Sequence, residues 1–134
     1  MQVAKGSLAR YFLRALEQQA EGTPEPENIP NDDPLHINLE HVLPQNPKSG
    51  EWDAFDAEQR ALFTGRLGNL AILKRTPNSD IENLPFDEKK PVYEQSGYLL
   101  TKALARVPKW TPDAVTDRQK DLAKLAKKTW PIAL

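Results

Sequence analysis

There is no cysteine among the 134 residues of the chain, which removes disulfide staples, thiolate zinc sites and cysteine nucleophiles together. Any metal must then be bound through oxygen or imidazole. No apolar run approaches the roughly 20 residues that a membrane-spanning helix needs, and the first residues lack the apolar core of a secretory signal. The expectation is a cytoplasmic protein that spans no membrane. A basic excess is missing as well: 18 Lys and Arg stand against 19 Asp and Glu, a net charge of −1. That argues against a generic nucleic-acid coat, because phosphate binding normally shows as a surplus of positive charge.

What is present is enough for one domain. With 39% hydrophobic residues, a chain of this length buries one core of ordinary size. The near-neutral total hides a gradient. Residues 1–33 hold three basic and six acidic side chains, which leaves 15 against 13 in 34–134. From Tyr98 onward, Lys102, Arg106, Lys109, Arg118, Lys120, Lys124, Lys127 and Lys128 face only three aspartates; such a run is either a solvated helix face or a track for phosphates.

Leu8, Phe12, Leu13 and Leu16 fall at helical spacing and the pattern stops at Gly22, which predicts a leading helix over 1–22. The start inside a helical pattern suggests a piece of a longer protein. Four prolines among acidic and amide residues make 23–34 an exposed linker. The remainder, 35–134, carries the chemistry. HINLEHVLP predicts a short strand closed by Pro44. Over 51–63, Trp52, Phe55, Leu62 and Phe63 share roughly one helical face. Residues 67–73 predict a second short strand interrupted at Gly68-Asn69, 78–85 a loop, and 86–98 a helix with Pro91 near its first turn. Two further helices are expected over 99–107 and 112–129, the second started by Thr111 before Pro112 and Asp113. Trp52, Trp110 and Trp130 read as core anchors, and His36 as structural.

Three short pieces carry the chemistry. Glu40 and His41 are adjacent at a strand end; neighbouring strand side chains point apart, so joint work on one phosphate needs a bend, with which Pro44 is compatible. Gly68-Asn69-Leu70 is the second piece. The third is Asn78, nine residues after Asn69. A carboxylate and an amide oxygen are hard ligands suited to Mg²⁺, and an imidazole with an ordinary pKa near 6.5 can deprotonate water at neutral pH. Each piece alone has a duller reading: a surface carboxylate beside a solvated histidine, a tight turn, a helix cap.

Taken together, Glu-His, Gly-Asn-Leu and Asn resemble the HNH, or ββα-metal, nuclease motif. The wider text EHVLPQNP, GRLGNLAILKRTPNSDIENLPFDEKKPVY and the spaced Trp110, Arg118, Trp130 and Pro131 resembles the C-terminal domain of GmrSD-type restriction proteins over roughly 7–132. The resemblance implies Glu40 and Asn78 as ligands of one Mg²⁺ or Mn²⁺, His41 as general base and Asn69 as the brace of the loop. It further implies a DNA endonuclease acting against modified or foreign DNA, joined to an N-terminal nucleotide-hydrolysing domain. Many HNH motifs begin with Asp and carry a structural zinc on cysteines; here Glu40 stands in the first place and the helices must brace the motif by packing alone.

The expected fold is therefore α+β and mostly helical, with a ββα-metal core embedded among helices. One such site breaks one strand, so nicking is expected of a monomer and a double-strand break of two copies. Lys89, Lys90 and Arg118 are candidate phosphate contacts. A second expectation is a DNA-binding or docking module that does not cut, and nothing in the residues separates RNA from DNA as substrate.

Overall fold

The periodic apolar residues near the N-terminus form helix α1 (Gly6–Glu21), and Gly22 follows it at φ 84°, a backbone state open to glycine at a helix end. This is a computed structural model that describes residues 6–22, 37–48, 50–74 and 81–130. The expected linker 23–34, His36 and Asn78 lie outside the described residues. Ala9, Leu13 and Leu16 are buried on α1, whereas Leu8 is exposed.

Strand β1 (Ile37–His41) pairs antiparallel with β2 (Leu70–Lys74), Ile37 opposite Lys74 and His41 opposite Leu70. Strand alternation sorts the side chains to two faces, and a hydrophobic cluster lies on each. Ile37, Leu70 and Ile72 join Ala9, Leu13 and Leu16 of α1 with Leu67 and Leu122. Ala71, which is opposite Glu40, and the half-buried Leu73, opposite Asn38, belong to a second cluster with Val42, Leu43, Trp52, Phe55, Phe86, Tyr93 and Trp110. Each fully buried aliphatic or aromatic side chain contributes about 1.5–3 kcal/mol by leaving water. The sheet thus forms a partition between two cores.

Helix α2 (Ala57–Phe63) starts later than the periodicity of 51–63 suggests. Asp56 accepts a hydrogen bond from Gln59 N while the Gln59 side chain accepts one from Asp56 N. That reciprocal cap fixes the start. Trp52 and Phe55 are buried in the preceding turn, and Leu62 is 46% exposed. Of the stretch expected as strand over 67–73, Leu67–Asn69 is a 3-10 turn and the rest is strand, as part of β2.

Helix α3 (Phe86–Glu94) stops short of residue 98 and carries Pro91 in its second turn, where the missing N–H removes one rung of the ladder. Helix α4 (Leu99–Lys102) tightens into a 3-10 turn, Ala103–Arg106. Its first N–H groups, Leu99 N and Leu100 N, donate to the Glu17 carboxylate of α1. Helix α5 (Pro112–Thr129) begins as expected, with Thr111 Oγ1 accepting from Ala114 N at 3.1 Å. Trp110 is buried and Trp130 half-buried against Phe12. The domain is α+β and mostly helical, and no described helix is long and apolar enough to cross a membrane.

Candidate active site

A cavity of about 310 Å³ is lined by Asn38, Leu39, Glu40, His41, Gln45, Leu73, Ile81 and Glu82. Four consecutive residues of β1 border it together with Leu73 of β2, so residues from both faces of the strand reach it. This is how Glu40 and His41, which point apart along a strand, come to share one hollow. Two larger hollows, of about 510 and 620 Å³, contain neither residue.

Glu40 is buried, 6% exposed. Its Oε2 accepts from the Tyr93 hydroxyl at 2.9 Å and lies 3.4 Å from Lys89 Nζ. Burial raises its pKa above the ordinary carboxylate value, against the lowering effects of Lys89 and Tyr93. Both contacts fall on Oε2. Among the described residues Oε1 has no hydrogen bond.

His41 is half-buried at the end of β1, and burial pushes its pKa below the ordinary 6.5; the Glu82 charge opposes this shift and the Lys89 charge adds to it. A lowered value keeps the ring neutral at pH 7. Its imidazole makes no hydrogen bond among the described residues.

The turn after His41 is held by main-chain contacts from two side chains. Asn69, fully buried, accepts at Oδ1 from Leu43 N (2.8 Å) and Trp110 Nε1 (3.0 Å), and donates from Nδ2 to Leu43 O (3.1 Å) and Thr64 O (3.0 Å). Both lone pairs and both N–H groups are used, which is the full capacity of an amide. Its own carbonyl also accepts from Val42 N. From the opposite side, Lys89 Nζ donates to His41 O at 2.9 Å and Val42 O at 3.0 Å.

These contacts turn two of the three expected phosphate contacts toward main-chain carbonyls of the protein itself. Lys89 is 0% exposed, and no phosphate in solvent reaches it. Burial lowers its pKa while Glu40 raises it. Arg118 donates from Nη1 to Gly68 O and Leu70 O, and its Nη2 is buried; burial lowers its pKa to about 10. It is part of the α5 packing. Lys90, half-buried, donates to Pro108 O at 3.0 Å and approaches Asp87 at 3.7 Å.

The polar atoms around the cavity other than the imidazole belong to carboxylates and amides. That donor chemistry suits a hard cation that keeps much of its water, and among the described residues no three His, Cys, Asp or Glu gather in a metal-binding group. Sequence reasoning missed Tyr93, Glu82 and Gln45, and misplaced Lys89. A signal for the first and last exists: Phe86, Lys89 and Tyr93 recur at helical spacing on the buried face of α3, and a lysine in that stripe needs an internal partner.

The model of the family described as GmrSD restriction endonucleases, C-terminal domain, matches residues 2–125 of the chain. No curated protein matches it.

Proposed function

The chain belongs to the GmrSD restriction endonuclease C-terminal domain family, and from that premise we propose that it hydrolyses phosphodiester bonds of DNA with His41 as general base. The observation that carries this reading is the imidazole of His41, kept neutral by burial and free of other described partners, in the same cavity as Glu40. Two antiparallel strands, β1 and β2, with α2 in the connection between them and α3 after them, support a ββα-metal reading of the core. Glu40 and Asn78 would hold one Mg²⁺ or Mn²⁺, and the ion when bound supplies positive charge for the phosphate and the departing oxygen. His41 takes the proton of the attacking water. Asn69 holds the turn that carries the base, and Tyr93 fixes the Glu40 carboxylate. With one base and one carboxylate, the product is a nick. Double-strand cleavage would require two copies, and choice of modified or foreign DNA is assigned to an N-terminal nucleotide-hydrolysing domain of the same protein.

The ion pair of Glu40 with Lys89 favours a second reading, a DNA-binding or docking module that does not cut. Supercoiled plasmid incubated with Mg²⁺ or Mn²⁺ separates the two. The nuclease reading expects open-circle product that disappears with EDTA and falls by about 10²–10⁴-fold in His41→Ala, the usual size of a general-base contribution. Equal nicking by both proteins removes His41 from the reaction, and no nicking by either leaves the docking module. Labelled RNA in parallel tests the choice of backbone.

A further inference from the structure

We propose that Lys89 is the positioning residue of this site, a buried ammonium that joins the carboxylate of Glu40 to the turn carrying His41; the inference rests on His41 being the base. Its single Nζ lies 2.9 Å from His41 O, 3.0 Å from Val42 O and 3.4 Å from Glu40 Oε2. These are three acceptors for the three protons of an ammonium group. Lys89 has no exposed surface, so the charge exists there only because those acceptors surround it. The Trp52 ring, whose centroid is 5.7 Å from Nζ, closes the remaining side.

The geometry joins the carboxylate, the turn after β1 and helix α3 at one atom. Glu40 is the last but one residue of β1, and His41 its last residue; their side chains leave the strand in different directions. A change in the turn at Val42 would rotate the imidazole without moving the carboxylate. Lys89 removes that freedom, because the same nitrogen that pairs with Glu40 also holds the carbonyls of two successive peptide links, His41–Val42 and Val42–Leu43. Asn69 fixes the following residue, Leu43, through both its N–H and its carbonyl. The base is thereby held from both sides of the turn. Tyr93, one helical turn after Lys89 on α3, donates to the same Glu40 oxygen, so α3 sets the carboxylate and the turn as one unit. A compact ammonium suits three acceptors in three directions, and the planar fork of arginine does not.

The test uses the full chain with Lys89→Met, which keeps the length of the side chain and removes its charge and donors. Plasmid nicking is measured as kcat and KM, and the Cε1–Hε1 resonance of His41, assigned with His41→Ala, is read by NMR at one fixed pH. The expected result is a fall in kcat of about tenfold or more, in line with the cost of a misplaced reacting group, with KM little changed and a shifted His41 resonance. Nicking within about twofold of wild type and an unmoved resonance overturns the proposal while the nuclease reading stands. If wild type itself does not nick, the nuclease reading fails, and with it the proposal that Lys89 positions a base. If Lys89→Met does not melt cooperatively, Glu40→Gln/Lys89→Met removes both buried charges at once. Compared with Glu40→Gln alone, the double variant is expected to shift the His41 resonance, and identical resonances overturn the proposal.

Discussion

The two sides of the two-stranded sheet are built on opposite terms. Toward α1, Ile37, Leu70 and Ile72 meet Leu13, Leu16 and Leu122, and the contact is between hydrocarbon and hydrocarbon. Toward α3, the core surrounds polar groups: the Glu40 carboxylate, the Lys89 ammonium, the Tyr93 hydroxyl and the Asn69 amide. Apolar packing tolerates small shifts at small cost, whereas a buried polar network is favourable only when each member meets its partner. One side therefore supplies stability, and the other fixes where the His41 turn sits.

The comparison breaks first at Asn69. Asn69→Leu leaves the Leu43 N–H and the Trp110 indole N–H without partners, each costing about 1–3 kcal/mol, and it releases the turn. Denaturant unfolding should show a loss of several kcal/mol by that measure, and nicking by the remaining folded protein should fall by about tenfold or more. Leu13→Ala, on the apolar side, is expected to cost about 2–5 kcal/mol yet to leave nicking per folded molecule unchanged. A Leu13→Ala protein that is folded but inactive would erase the distinction between the two sides.

Two smaller effects depend on pH. The active form of His41 is neutral and its pKa lies below 6.5, so nicking should persist as pH falls through 6.5 and decline only below it. Rates taken at fixed metal between about pH 5 and 8 check this, and a midpoint above 6.5 contradicts it. The smallest effect concerns Glu17, 3% exposed, whose pKa is raised from 4.5 to about 7 by burial first and then by Glu21. A carboxyl raised in the folded state binds its proton more tightly there, so its contribution is largest below pH 4.5 and is lost as pH rises toward 7. Glu17→Gln should flatten that part of the stability curve, measured by urea midpoints across the window.

Much of the frame was legible in the residues. The start of α5 followed from Thr111 and Pro112, because a hydroxyl cap and a fixed φ are local properties. The core face of α1 followed from the spacing of Leu13 and Leu16. Residues 51–63 were misread because Trp52 and Phe55 keep helical spacing from within a turn, and the cap formed by Asp56 and Gln59 outweighs that periodicity. Glu40 and His41 stood out as a pair, but their common cavity is completed by Leu73, Ile81 and Glu82 from later in the chain, which no local spacing encodes. Lys89 and Arg118 looked like phosphate contacts because a basic residue is usually solvated; the burial of Lys89 and the main-chain hydrogen bonds of Arg118 become apparent only when α3 and α5 are placed against the sheet. The nine-residue interval to Asn78 points to a position outside the described residues.

Gly68 carries a consequence of its own. A methyl group at this position would stand 2.4 Å from Val115 O and 3.1 Å from the Gln119 backbone nitrogen, while Gly68 N donates to the Gln119 side chain at 2.5 Å. The gap between α5 and the residue that precedes Asn69 is thus set by the absence of a single carbon. Gly68→Ala would act as a wedge, forcing the last helix outward or tipping the Asn69 amide away from Leu43. Through that chain of contacts, the last helix of the domain bears on the position of the turn that carries the imidazole.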